Sequence, residues 1–500
     1  MTKVYDNATD LITFARSSSG TALRRVGYGD EIFGDPSFDG TGDWSLPADS
    51  VTVSGGKLTY DAVANIRGAE QNVNIYAGRV YQISFEVLSG TAYLYLSTGK
   101  TSTSLISGLG PAGYGVGVHQ INVVANGNYS TIGFTLSKFF GGTACELAYF
   151  SMKEVIFDRA TDPLVLFDHP DDIPRIEYAA DGSLKGLLIE EQRTNLVTYS
   201  EDLTAWHTFS GETSVTLSSD TIYGVSAYEV TGSTGGFGLG RLSPNGGTSI
   251  NLTSDGVLTF WAKKITAGTT LQYLWNGSVI IFDSQVPNDG QWHKVEITLT
   301  AANSVLQLLR GFTSGTVALA MPQLEQGSFA TSYIPTSGSQ KTRDPDIASI
   351  PVSAFGYNQT AGTVVVEFGH FNIDTSLAGI VSITSDPPPL SEWTPLIYAS
   401  TSAIVFSVQD AGVGQVSTQV SGDRRTTGGI VGFAMKENSF AASVGGSTPQ
   451  TDSSGTMSTN MSVMRIGTFA SNPAYLNGHI KSLSYFPRRL TDAQLQELTA

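Results

Sequence analysis

The chain has 500 residues, 40% of them apolar and 14% charged, with 55 glycines, one cysteine and a formal net charge of −16. That length exceeds one hydrophobic core and predicts about three or four domains, and ordinary apolar content with abundant Gly, Ser and Thr points to turn-rich β-structure instead of disorder. The negative field argues against a nucleic-acid partner or an anionic membrane surface, and a lone cysteine excludes an intramolecular disulfide.

The first twenty residues, "MTKVYDNATDLITFARSSSG", lack the apolar core of a secretory signal, and no run reaches the roughly 18 to 20 apolar residues of a membrane span. The expectation is a soluble protein made in a cytoplasm, without membrane insertion. From about Asp35 to Val155, "GRVYQISFEVL", "TAYLYLST", "HQINVVAN" and "STIGFTLS" place apolar residues at every second position between Gly, Ser and Asn turns, the pattern of an antiparallel sandwich. Within it, Gly108, Gly110 and Gly113 have dinucleotide-fingerprint spacing, but Pro111 and the further glycines prevent the helix that the fingerprint needs. Cys145 sits in a strand-like run and reads as a small buried hydrophobe. Asp35, Asp39 and Asp43 could offer oxygens to a structural Ca²⁺, but turn and cap roles explain them equally well, so no metal site and no cofactor is predicted.

Between Pro174 and Trp206 the residues read as a hairpin. Ile176 and Tyr178 alternate with polar neighbours, Asp181-Gly182 turns the chain, and Leu184 begins a return strand. Leu187, Leu188 and Ile189 in succession predict a strand buried on both faces, to be covered by the N-terminal strand, a neighbouring domain or another copy of the chain. Glu190, Glu191 and Arg193 suit charge-assisted pairing, and Asn195 suits a turn into the next module. Adjacent Glu190 and Glu191 point to opposite faces of a strand and therefore cannot flank one glycosidic bond.

A second sandwich is predicted from "GVLTFWAKK", "TLQYLWNGSVIIF", "WHKVEITLT" and "TVALAMPQLEQ", which resemble the first block closely enough to suggest divergent copies of one jelly-roll-like domain. A third β-rich block runs from "GTVVVEFGHF" to "GHIKSLSYF" and ends in the chain's one convincing helix, "LTDAQLQELT", with Thr491 as cap and Leu495 and Leu498 on one face. No phosphate-loop, Cys-x-x-Cys, His-Glu-x-x-His or Gly-x-Ser-x-Gly motif occurs, and the six histidines are scattered singly. Sugars are gripped by aromatic faces and short polar side chains, which makes Tyr273, Trp275, Trp393 and Tyr398 the glycan-binding candidates, whereas Trp261 and Trp292 read as core.

Three resemblances organise these blocks. The first two, through "FDGTGDW", "GGKLTYD", "VNIYAGRVYQISFEV", "LTFWAKK" and "VPNDGQWHKVEITLT", are similar to carbohydrate-binding-module-like jelly rolls. The third, through "LNGHIKSLSYFPRRLTDAQLQELT", resembles a concanavalin A-like, laminin-G-type sandwich; glycan-cleaving relatives of that fold line a strand with several carboxylates, whereas this block has no such strand and its "VVVEFGHF" offers Glu367 alone. "IPRIEYAADGSLKGLLIEEQRTNLVTYSEDLTAW" and "LEQGSFATSYIPTSGSQKTR" resemble segments of bacteriophage tail-fibre and other virion proteins. In such proteins a strand like "LITFARSSSGTAL" lies shortly upstream of the first segment; here it lies more than a hundred residues earlier, so the first jelly roll reads as an insertion.

The expected fold is all-β, with three β-sandwiches in series and a small β attachment unit. Residues 1–33 would pair with the connector 156–200, sandwiches would occupy 34–155, 201–328 and 359–500, and 329–358 would be a linker. Ile12, Phe14, Arg16, Leu187, Leu188, Ile189, Glu190, Arg193 and Asn195 are expected to act structurally, with the strand of Ile12 and Phe14 beside Gly186 to Glu190. The resemblance implies a virion protein, a tail fibre or peripheral appendage assembled in the host cytoplasm. It would contact other virion proteins, itself as a homotrimer, and host-surface polysaccharide. A structural head, neck or baseplate decoration and a glycan-degrading enzyme are the alternatives.

Overall fold

The computed structural model describes residues 12–40, 44–98, 112–138, 141–208, 213–232, 240–312, 315–373, 377–385, 392–469 and 474–500. The architecture is all-β, and among the described residues the one α-helix is Asp492–Leu498. The chain forms two compact units, Arg24–Pro170 on one hand and Met1–Leu23 with Asp171–Ala500 on the other.

The unit Arg24–Pro170 is a sandwich. Its smaller sheet orders Ile66–Gln71, Ile132–Ser137, Ala92–Ser97 and Ala112–Tyr114; the larger one is built around Cys145–Phe157, which pairs with Gly20–Glu31, Lys57–Tyr60 and Val80–Ser89. Alternation works as the sequence suggests: along Val80–Ser89, Ile83, Phe85 and Val87 enter the core while Gln82, Ser84 and Glu86 do not. Phe134 and Phe150 stack there at 4.0 Å. Gly68 allows the sheet to close, since a Cβ on it would stand 1.7 Å from the carbonyl oxygen of Phe134. The unit is wider than the expected 34–155, because the strand Gly20–Glu31, from Arg24 onward, and Leu164–His169 belong to its larger sheet. Asp35 acts as a turn residue, its carboxylate accepting the amides of Asp39 and Gly40 at 3.0 and 3.1 Å. Gly113 lies in a strand; Gly108, Gly110 and Asp43 lie outside the described residues.

The other unit contains two sandwiches. In the first, the sheet His207–Thr208, Gly240–Ser243, Gln307–Phe312, Gln272–Trp275, Ser278–Ile281 accompanies the sheet Thr213–Ile222, Val225–Gly232, Gly315–Gln326, Gly256–Lys264, His293–Leu299. Leu258, Phe260, Leu308 and Leu319 fill its core. The second has two seven-stranded sheets. One orders Thr13–Ala15, Ile347–Pro351, Val463–Ile466, Leu377–Thr384, Trp393–Ser400, Ala403–Asp410, Val413–Ser421; the other orders Ile176–Tyr178, Leu184–Ile189, Gly478–Phe486, Ala361–Phe371, Gly429–Lys436, Ser439–Val444, Gln450–Asp452.

This topology corrects three expectations. The connector hairpin is no separate module, since Leu187 pairs with Ile480 and the hairpin forms the edge of the C-terminal sandwich. The stretch 329–358 is more than a linker, because Ile347–Pro351 is a strand of the same sandwich. The strand Thr13–Ala15 pairs with it, Phe14 opposite Ala348, and not with Gly186 to Glu190. Phe14 still shares one buried cluster with Leu187 and Ile189, against which Ile12 packs. The doubly apolar strand is thus covered by its own chain, which removes it as an argument for a second copy.

At the C-terminus Thr491 closes a capping box with Gln494. Leu495 is buried against Ala434 and Ala441, whereas Leu498 is exposed, so the two leucines do not share a buried face.

Candidate functional site

The strand Leu184–Ile189 delivers the next residue, Glu190, into a buried cluster of charges. Glu190 Oε2 lies 2.8 Å from Arg175 Nη2 and 3.0 Å from Arg343 Nη1. Its carboxylate also accepts the Ser332 amide at 2.8 Å and the Ser332 hydroxyl at 2.7 Å. Asp346 accepts Arg16 Nη1 at 3.0 Å, pairs with Arg175 Nη2 and accepts the amide of Glu190 at 2.9 Å, while its own amide donates to the Glu190 carbonyl at 2.9 Å. Burial alone would raise Glu190, but Arg343, Arg175 and the Ser332 donors outweigh it and hold the carboxyl far below the usual carboxylate range. Buried charges survive when paired and hydrogen-bonded in this way.

The neighbouring motif residues tie the same knot outward. Glu191 faces elsewhere, pairing with Arg193 at 2.6 Å and accepting Asn477 Nδ2 at 3.0 Å, although both glutamates lie just beyond the strand that ends at Ile189 and not within it as expected. Arg193 lies 4.8 Å over the Phe329 ring and donates to the Gln326 carbonyl. Asn195 Oδ1 accepts the amides of Val197 and Leu324 at 3.0 and 3.1 Å, and its Nδ2 donates to the Ile334 carbonyl at 2.8 Å. Arg193–Asn195 pairs with Lys341–Arg343. Of the residues expected to act structurally, Arg16, Glu190, Arg193 and Asn195 meet at one junction, which gathers the N-terminal segment, the hairpin and residues 326–346, while Ile12, Phe14, Leu187 and Ile189 pack in the apolar core of the C-terminal sandwich and the Leu188 amide donates to the Arg175 carbonyl at 2.9 Å.

Beside this junction opens a polar cleft of about 420 Å³ that includes Glu177, Lys185, Lys294, Glu296, His370, Asn372 and His479. Glu177 Oε2 is 2.6 Å from His479 Nε2 and 3.0 Å from Lys185 Nζ. Burial opposes ionisation of Glu177, but His479 and Lys185 prevail and keep its pKa low. Partial desolvation pushes the imidazole of the exposed His370 down, His479 and Lys185 push the same way, and Glu296 opposes them. Sequence reasoning missed this cleft because the two histidines are 109 positions apart (479 − 370) and carry no local motif. Arg175 and Arg343 were missed as well; their only signal was an arginine inside each of the two virion-like segments.

The aromatic candidates do not form one site. Tyr273 and Trp275 are 4% and 3% exposed and belong to the core of their sandwich, with Trp275 Nε1 donating to the Thr300 carbonyl at 2.8 Å. They offer no ring face to a ligand, because residues two apart in a strand share a face and here that face is inward. Trp393 opens a strand, and its Nε1 donates to Ser407 Oγ at 3.1 Å; residues 386–391 before it lie outside the described residues. Tyr398, half-buried, meets Phe469 edge-on at 5.5 Å. Conversely Trp261 and Trp292, expected in the core, are partly exposed.

No family model matches the chain, and no curated protein matches it. Among solved structures it is similar to the Ruminococcus gnavus IT-sialidase CBM40 bound to α2,3-sialyllactose, at 13% identity and a TM-score of 0.26, covering 29% of this chain and 84% of that one. It is also similar to the N-terminal CBM22-1–CBM22-2 tandem domain of Paenibacillus barcinonensis Xyn10C, at 12% identity and a TM-score of 0.21, covering 61% of this chain and 99% of that one.

Proposed function

We propose that the chain is a bacteriophage virion protein, a tail fibre or other peripheral appendage, whose β-sandwiches bind host-surface glycans. The observation that carries this reading is the buried junction. The segments that resemble virion proteins contribute Arg175, Glu190 and Arg343, and these residues are consumed in holding modules together. A chain built this way presents binding modules. Other virion proteins and further copies of itself, as a homotrimer, are the partners this role requires, and several weak sites engaging one glycan-covered surface would give firm attachment.

Two of the three glutamates on the cleft wall are held as carboxylates, which disfavours them as the acid of a glycosidase. A glycosidase needs a carboxyl group held protonated near neutral pH beside a second, ionised one. Glu190 is held ionised by two arginines and Glu177 by His479 and Lys185. Glu325, the buried carboxyl whose pKa is raised, chiefly by burial, is occupied by hydrogen bonds from Thr331 and Gln323 and is absent from the cleft wall.

The experiment is adsorption competition. Purified full-length protein added to host cells before phage is expected to reduce adsorption, and to be retained by host polysaccharide without releasing shorter products. Undiminished adsorption would remove the receptor role, and product release would establish the enzymatic alternative. Density for the chain in a map of the particle would locate it.

A further inference from the structure

The strand Gly256–Lys264 turns Leu258, Phe260 and Ala262 into the core, so Thr259, Trp261 and Lys263 stand on the outer face of its sheet. In the neighbouring strand Lys294 is the partner of Trp261 and Glu296 the partner of Thr259. Tyr223, in the turn between Thr213–Ile222 and Val225–Gly232, meets Trp261 edge-on with ring centroids 5.6 Å apart. At one end this face is covered by the chain itself, where the amides of Thr331 and Ile334 donate to Glu325 and Gln323. At the other end Tyr223 and Trp261 stay partly exposed.

Lys294 and Glu296 also line the cleft, together with His370 and Asn372. The aromatic pair and the cleft are therefore neighbouring parts of one surface. Among the described residues, the side chains of Lys294, Glu296, His370 and Asn372 make no hydrogen bond or ion pair with the protein. They offer one ammonium, one carboxylate, one imidazole and one amide, a set balanced in charge and in donors and acceptors. Such a set suits hydroxyl groups, which donate and accept at once. Beside it, indole and phenol rings suit the apolar C–H face of a pyranose.

We propose that Tyr223, Trp261, Lys294, Glu296, His370 and Asn372 form one binding face for a neutral oligosaccharide. A sugar ring stacks against Trp261, and the following residues lie in the cleft with their hydroxyls on the four unpartnered side chains. This assignment rests on the glycan-binding function proposed above.

The test applies the intact chain to an array of immobilised bacterial-surface polysaccharides, neutral and acidic, with Trp261→Ala, Lys294→Ala, His370→Ala and Trp261→Phe alongside. Near-ultraviolet circular dichroism and the melting temperature establish that each variant is folded; Lys294 and His370 are exposed, so their variants keep the test open if Trp261→Ala does not fold. Expected is a loss of roughly tenfold in apparent affinity for the same neutral glycan in Trp261→Ala and His370→Ala, with Trp261→Phe recovering most of it. If the protein binds glycans and Lys294→Ala and His370→Ala stay within about twofold of it, this face is not the site while the glycan-binding function stands. Binding confined to acidic glycans overturns the neutral ligand. A protein retained by no glycan on the array loses both the function and the site.

Discussion

Arg16 and Asp346, 330 residues apart, meet in a salt bridge of 3.0 Å in which neither side chain is exposed. Asp346 also receives Arg175 and the amide of Glu190. Removing its charge leaves two buried guanidinium groups each short of one partner, a situation that costs about 3–5 kcal/mol. Asp346→Asn is therefore expected to lower the denaturation midpoint of the unit that contains residues 171–500. Tryptophan fluorescence in guanidinium chloride measures it, and a midpoint equal to that of the unaltered protein would remove the junction from the account of stability.

Acid should act through the same cluster. Glu190 has a folded-state pKa below the unfolded value of about 4.3. The folded state therefore binds that proton less readily, and the stabilisation from Glu190 is complete above the unfolded pKa and lost as pH falls through it towards the folded one. Glu177 shifts in the same direction, and Glu325, raised mainly by burial, works against both. The expected outcome is a stability plateau near neutral pH and a steep fall below about pH 4. In Glu190→Gln the protein is weaker at neutral pH but its acid limb is shallower. Denaturation midpoints across that range decide it, and an unchanged acid slope in the variant would assign the pH dependence to other carboxylates.

How far the sequence announces this structure depends on the reach of each interaction. Period-two alternation marks Ile83, Phe85 and Val87 as core, and Asp181-Gly182 marks the hairpin, because both signals lie within a few residues. The strand "GVLTFWAKK" even contained the placement of Trp261, since Leu258, Phe260 and Ala262 alternate against it. What was not legible is pairing across hundreds of residues. Nothing in "ITFAR" distinguishes Ile347–Pro351 from Leu184–Ile189 as a neighbour, because both are short apolar strands and register is set by the assembled core. Buried arginines are equally silent. Arg175 and Arg343 are surrounded by ordinary sequence and acquire meaning only once Glu190 and Asp346 arrive.

The two kinds of tryptophan should separate in a stability measurement. Trp275 is in the core with its indole nitrogen bonded to Thr300, so Trp275→Ala creates a cavity and is expected to cost about 3–5 kcal/mol. Trp393 is partly exposed, and Trp393→Ala should cost well under half of that. Denaturant titration of both variants tests the assignment; equal costs would mean that Trp393 is as much a core residue as Trp275.

Cys145 provides an independent probe of the unit Arg24–Pro170. It is buried, and burial first and Glu146 second push its thiol up to about 12. Only the thiolate reacts with an alkylating reagent, so near pH 8 a fraction on the order of 10⁻⁴ would be available even if the sulfur were reachable. Labelling of the native protein is expected to be very slow and to accelerate at the denaturant concentration where this unit opens. That makes the cysteine a reporter for this unit, and Asp346→Asn, whose damage is confined to the other unit, should leave the labelling midpoint in place. A midpoint that moves with Asp346→Asn would show that the two units unfold as one.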